Sequence, residues 1–91
     1  MDYTTYKVLV YTSGTREWYL NDKLHREDGP AIELANGTKA WCLNGDLHRE
    51  DGPAIEYPGG TKEWWLNDVK VTESDVMKPT KELTIAEIKS Y

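Results

Sequence analysis

The chain has 91 residues, 11 Lys and Arg against 16 Asp and Glu, and a formal net charge of −5. That is enough for one small domain with a modest core; the basic residues are scattered, which argues against direct nucleic-acid binding, where phosphates need a basic stripe. The single cysteine, Cys42, excludes an internal disulfide, and no apolar run has the length of a membrane span or the pattern of a signal peptide, so the chain reads as soluble and cytoplasmic.

Phe is absent, and four Trp and six Tyr carry the apolar load. Such rings bury large areas in a thin β structure whose outer face stays wet. Residues 3–11, rich in Thr, Val and Tyr, predict a leading strand. Ser13-Gly14 predicts a tight turn, and a Trp-bearing strand runs on from Thr15. Asn21-Asp22 predicts a second turn, of two residues, which sets Leu20 opposite Lys23, Tyr19 opposite Leu24 and Trp18 opposite His25. Gly29-Pro30 then forces a bend, because both residues interrupt a ladder.

The same elements then recur. Gly14-Thr15-Arg16-Glu17-Trp18-Tyr19-Leu20-Asn21 returns as Gly37-Thr38-Lys39-Ala40-Trp41-Cys42-Leu43-Asn44, and again as Gly60-Thr61-Lys62-Glu63-Trp64-Trp65-Leu66-Asn67. Residues 24–33 repeat unchanged as residues 47–56, so the step is 23 residues. A fixed short period means stacked units sharing one core. The expected fold is all-β: an antiparallel meander of 23-residue hairpin repeats, six or seven strands in all, with a short C-terminal helix. Residues 1–91 divide into a leading strand (1–13), repeats at 14–36, 37–59 and 60–73, and a tail (74–91). Reading Asn36-Gly37 as a two-residue turn sets Ile32 opposite Trp41. It predicts an apolar column of Trp18, Ile32, Trp41, Ile55 and Trp64, with Leu20, Leu43 and Leu66 beside it and histidines filling the gaps. In the tail, Thr84-Ile85-Ala86-Glu87 is a capping box, with Leu83, Ile85 and Ile88 as the apolar stripe of a short helix.

His25-Arg26-Glu27-Asp28-Gly29 and its copy from His48 are the segments that resemble a chemical site. Two histidines on strands two apart stand about 9–10 Å from each other, too far to share one zinc with bonds of about 2 Å. The third repeat has Val71 in their place, and valine replaces a packing group but not a base or a ligand. On that reading a His48→Val exchange leaves the fold intact. Arg26 and Arg49 are expected to pair with nearby carboxylates, and Asp28 and Asp51 to cap the bend through backbone amides. Neither a nucleophile–base pair, a phosphate loop nor a cofactor motif is present, so no enzyme and no cofactor are expected. Tyr19, Tyr57 and Trp65, expected on the face opposite the Trp column, are the candidate protein-binding residues, since Tyr and Trp are enriched at hot spots. Arg26 and Arg49 join them as further binding candidates.

The 23-residue step, the Gly-led aromatic strand and the Asn-Gly hairpins resemble MORN repeats. The nearer likeness is to a variant with a W-x-L-N-G-x-L-H-R-x-D-G-P-A block, which stands here at residues 41–54 and, with Asp22 for Gly, at residues 18–31. Variants of that block occur in small bacteriophage proteins, and residues 82–88 also resemble their tails. The resemblance implies a β-hairpin array acting as an interaction platform. The membrane association of the family does not carry over, because the basic residues it needs are not patterned here. The expected function is that of a phage-encoded, non-enzymatic module in the host-cell cytoplasm that inhibits a host protein, either a nucleic-acid-binding protein or an immune effector. Its acidity suits a basic partner, and its open sheet edges suit a homo-oligomer. The alternatives are a nucleotide-binding sponge between protomers, using Arg26 and Arg49, and a virion accessory protein.

Overall fold

A computed structural model describes residues 5–77; the capping box at Thr84 and its apolar stripe lie outside the described residues. Among the described residues ten strands run in chain order: β1 (Tyr6–Val10), β2 (Arg16–Leu20), β3 (Lys23–Leu24), β4 (Ile32–Glu33), β5 (Lys39–Ala40), β6 (Cys42–Leu43), β7 (Asp46–Leu47), β8 (Ile55–Glu56), β9 (Lys62–Leu66) and β10 (Val69–Val71), before helix α1 (Glu73–Met77). The main sheet has the order β1-β2-β4-β5-β8-β9-β10, with β3 paired to β2, and β6-β7 form a separate ribbon. All the ladders are antiparallel. The architecture is therefore the expected meander, cut into more pieces than expected. Among the described residues no helix is long and apolar enough to cross a membrane.

Two kinds of turn alternate. Asn21-Asp22, Asn44-Gly45 and Asn67-Asp68 each have positive φ at both residues, the two-residue turn whose twist matches the flanking strands. The first of them sets Leu20 opposite Lys23 and Tyr19 opposite Leu24, as the spacing predicts. The other turns are one residue longer than read from sequence. At residues 34–38, Gly37 N–H donates to Leu34 O at 2.9 Å and Leu34 N–H to Thr38 O at 2.8 Å. Gly37 has φ +97°, while Asn36 uses its side chain to accept from Thr38 N–H at 2.9 Å. The result is a three-residue loop closed by a glycine bulge.

That extra residue changes the face of the sheet. Ile32 pairs with Ala40 and Glu17, not with Trp41. Directly opposed residues share a face, and a one-residue slip moves a strand's side chains to the other one. Ile32 and Ile55 therefore lie with Glu17, Tyr19, Glu63 and Trp65, opposite the tryptophans they were expected to separate. The Trp gaps are filled by arginine instead: Arg26 Cζ sits 4.0 Å from the Trp18 ring centroid and Arg49 Cζ 3.9 Å from that of Trp41. The apolar core among the described residues is made of small side chains, Ala31, Ala40, Cys42 and Ala54, while the tryptophans are half-buried.

The histidines do more than pack. His25 Nδ1 accepts a 2.9 Å hydrogen bond from Asn44 N–H, and His48 Nδ1 one of 2.9 Å from Asn67 N–H. Each histidine thus ties its own hairpin to the turn of the next repeat. In the third repeat Val71 stands at this position, and the chain goes on into α1. Thr72, at the arginine position, opens α1 instead: Thr72 N–H donates to Asp75 Oδ2 at 3.0 Å and Asp75 N–H to Thr72 Oγ1 at 3.3 Å, a reciprocal cap. The helix lies against β9, earlier in the chain than the capping box at Thr84.

His25→Val should cost about 1–2 kcal/mol, because it leaves the part-buried Asn44 amide without its acceptor. His48→Val should cost less, since the Asn67 bond lies at the surface. Urea unfolding of the two variants checks this; equal stabilities for both variants and wild type would reject the tie between repeats.

Candidate functional site

The five candidate residues divide between the two faces of the sheet. Tyr19, Tyr57 and Trp65 share one face; Arg26 and Arg49 lie on the other, over the tryptophans.

On the first face a carboxylate organises the aromatics of each outer repeat. Glu17 Oε1 accepts from Tyr11 Oη at 2.9 Å and from Tyr19 Oη at 3.1 Å. Two repeats on, Glu63 Oε2 accepts from Tyr57 Oη at 3.1 Å and Glu63 Oε1 from Trp65 Nε1 at 3.0 Å. Lys70 Nζ adds a 4.0 Å ion pair to Glu63. The alternation of β2 and β9 explains the geometry, because residues two apart on a strand point the same way. Tyr11 and Tyr57 arrive from the strand across the three-residue turn. The middle repeat has Leu34, Ala40 and Cys42 at the corresponding positions, and so no clamp. Tyr11, Leu34 and Tyr57 remain exposed, while Tyr19 and Trp65 are half-buried.

The clamps tune their own groups. The hydrogen bond from Trp65 lowers the Glu63 carboxyl below its ordinary 4.5; desolvation opposes it, and the hydrogen bond from Tyr57 and the charge of Lys70 assist it. The hydrogen bond to the carboxylate raises Tyr11, Tyr19 and Tyr57 above 10.0, assisted by desolvation and by the negative charge. Cys42, in the middle repeat between the clamps, is buried, and that burial with Asp68 and Asp46 nearby pushes its thiol up to about 11. A thiol held protonated at neutral pH is a packing group rather than a nucleophile.

On the second face each arginine is held within the fold. Arg26 Nε donates to Asp28 Oδ1 at 3.2 Å, and its Nη1 donates to Pro30 O at 3.2 Å and Glu33 Oε2 at 3.4 Å. Arg49 repeats this with Asp51 at 3.1 Å, Pro53 O at 3.0 Å and Glu56 at 3.1 Å. The carboxylates of Asp28 and Asp51, expected to cap the bend through amides, hold the arginines instead. The glycine of the bend makes room: a Cβ on Gly52 would lie 2.7 Å from Arg49 Cζ, and one on Gly29 3.0 Å from Arg26 Cζ. Between the two loops runs an open groove of about 620 Å³, floored by Trp41, Leu43 and Pro30 and flanked by Glu27, Asp28, Glu50 and Asp51. With both guanidiniums already paired, the groove carries an excess of negative charge. A nucleotide phosphate entering it would compete with carboxylates for each arginine.

Sequence reasoning missed Tyr11, Glu17 and Glu63. The signal was the repeat alignment itself: glutamate at positions 17 and 63 with Ala40 between, and Tyr11, Leu34 and Tyr57 in one column. Comparison of the chain with protein-family models, with curated proteins and with solved structures finds no match.

The lowered Glu63 carboxyl gives a signed pH dependence. Its contribution to stability is full above the unfolded carboxyl's range and is lost as pH falls through the lower folded value. Acid titration followed by urea unfolding should therefore show a loss at pH below about 4.5 that Glu63→Gln removes. An unchanged acid limb in the variant would separate Glu63 from the clamp.

Proposed function

We propose that this protein is a non-enzymatic protein-binding module and that it binds through the face carrying Tyr19, Tyr57 and Trp65. The observation that supports the reading best is the pair of carboxylate clamps. Aromatic side chains at an interface contribute most when they are already held in their bound orientation, because the ordering cost then falls before binding rather than on it. Glu17 and Glu63 hold Tyr11, Tyr19, Tyr57 and Trp65 by their polar tips, leaving ring surface for contact.

The partner proposed is a host protein that the module inhibits, on the resemblance of the repeat to small bacteriophage proteins; a nucleic-acid-binding protein or an immune effector is the kind of target. The net charge of −5 favours a basic surface on that partner. Charge complementarity of this sort speeds encounter and is weakened by salt.

The test is an affinity capture from host lysate with wild type and with a Tyr19→Ala, Trp65→Ala double variant, each first checked for fold by circular dichroism. One protein held by wild type, released between about 50 and about 500 mM salt and lost at least about tenfold from the folded variant, is the expected result. Equal capture by the variant would move the binding surface off this face.

A further inference from the structure

We propose that two copies of this chain pair through β1, antiparallel and about a two-fold axis at Val8, so that the two sheets become one. The proposal starts from the edge strand that opens the stack. In the interior the strands 23 and 46 residues further on are held on both edges, β4 between β2 and β5, and β8 between β5 and β9. β1 aligns with them at the same 23-residue step but is paired by β2 alone; among the described residues its other edge has no partner. The trailing end also finishes on a strand paired on one side, β10 on β9, but β10 is three residues long and α1 follows it directly and lies against β9, whereas β1 offers five residues.

The free edge is built to pair. Tyr11 N–H bonds inward to Thr15 O at 2.9 Å. Backbone groups alternate along an antiparallel strand, so Tyr6, Val8 and Val10 direct theirs outward. The interior uses this outward position: Trp18 N–H donates to Ala31 O at 2.8 Å and Trp41 N–H to Ala54 O at 2.7 Å. Val8 is the counterpart of Ala31 and Ala54. Those alanines are fully buried, whereas Val8 is 44% exposed, flanked by Val10 at 68% and Tyr6 at 38%. Edge strands that stay single are blunted by charge, proline or bulges; β1 has no proline or bulge and one charge, Lys7.

A second copy suits this edge because the strand is complementary to itself. Centred on Val8, the pairing sets Val8 against Val8, Tyr6 against Val10 and Lys7 against Leu9. Each outward apolar residue meets another, and the two lysines are kept from facing each other, where like charges would repel. A residue at the centre exchanges both backbone bonds with its own copy, the arrangement a two-fold axis requires. The axis stands perpendicular to the sheet, so both copies present Tyr19, Tyr57 and Trp65 on the same side. The contact is below the ~1,200 Å² of a standard interface, which makes the dimer concentration-dependent.

Sedimentation velocity from about 10 μM to about 1 mM should show wild type passing from monomer to dimer. Val8→Lys and Val8→Glu, each alone, should move that midpoint at least about tenfold higher, and mixing the two in equal amounts should restore the dimer by setting opposite charges at the axis. Val69→Lys, on the trailing strand, should leave the midpoint unchanged. Val8→Pro removes only the outward N–H and serves if circular dichroism finds the charged variants unfolded. A wild type that stays monomeric, a dimer that survives Val8→Lys or Val8→Pro, or a mixture that does not recover would overturn the proposal.

Discussion

The stack depends on one guanidinium lying on one indole. Arg26 joins three stretches of chain: it covers Trp18 on β2, holds Asp28 and Pro30 in the bend, and reaches Glu33 on β4. Arg49 does the same for the second repeat. A planar cation is suited to this place, since it presents an apolar face to the ring and hydrogen-bond donors at its rim. This also explains why the core, among the described residues, has no large, fully buried side chain. The rings are sandwiched under charged groups at the surface instead of being sunk in an apolar interior.

The histidine bond supplies the link between repeats. His25 Nδ1 accepts from Asn44 N–H, and beside it Arg26 N–H donates to Cys42 O at 3.1 Å, so residues of one repeat act on the next. Such coupling to the neighbour alone is the physical basis of a linear repeat stack. It also dictates where the stack ends. With Val71 and Thr72 in place of histidine and arginine, the third repeat makes neither link and turns into a capped helix.

The division of labour between the faces comes from the turns. The three-residue loops place the tryptophans and arginines on one face and leave the clamped aromatics on the other. The tryptophan face carries the arginines, each paired within the chain, and an open groove edged with carboxylates. The clamped face presents rings whose polar tips are satisfied and whose faces are open. A protein partner needs surface of that second kind, rigid before contact and able to exclude water. The arginines, conspicuous in the sequence, belong to the stack.

Much of this was legible from residue order. The 23-residue identity set the meander, and the two-residue turns placed Leu20 opposite Lys23, because an Asn-led pair at positive φ leaves one way to count. The aromatic face was legible through Tyr19, Tyr57 and Trp65. The register of Ile32 was not, since Asn36-Gly37 fits both a two-residue turn and the end of a three-residue loop, and only the pairing of Leu34 with Thr38 decides between them. The pairing of Arg26 with carboxylates was legible too, but the bond of His25 was hidden, because it reaches Asn44 in the next repeat and exists only once the repeats are stacked. The clamp at Glu17 was missed because it depends on which side chains share a face across the three-residue turn. The sequence by itself thus determined the repeat, its strands and its period, which are local properties of turns and alternation. The tertiary structure decided which face each residue serves, because one residue in a turn inverts a strand and nothing local records it.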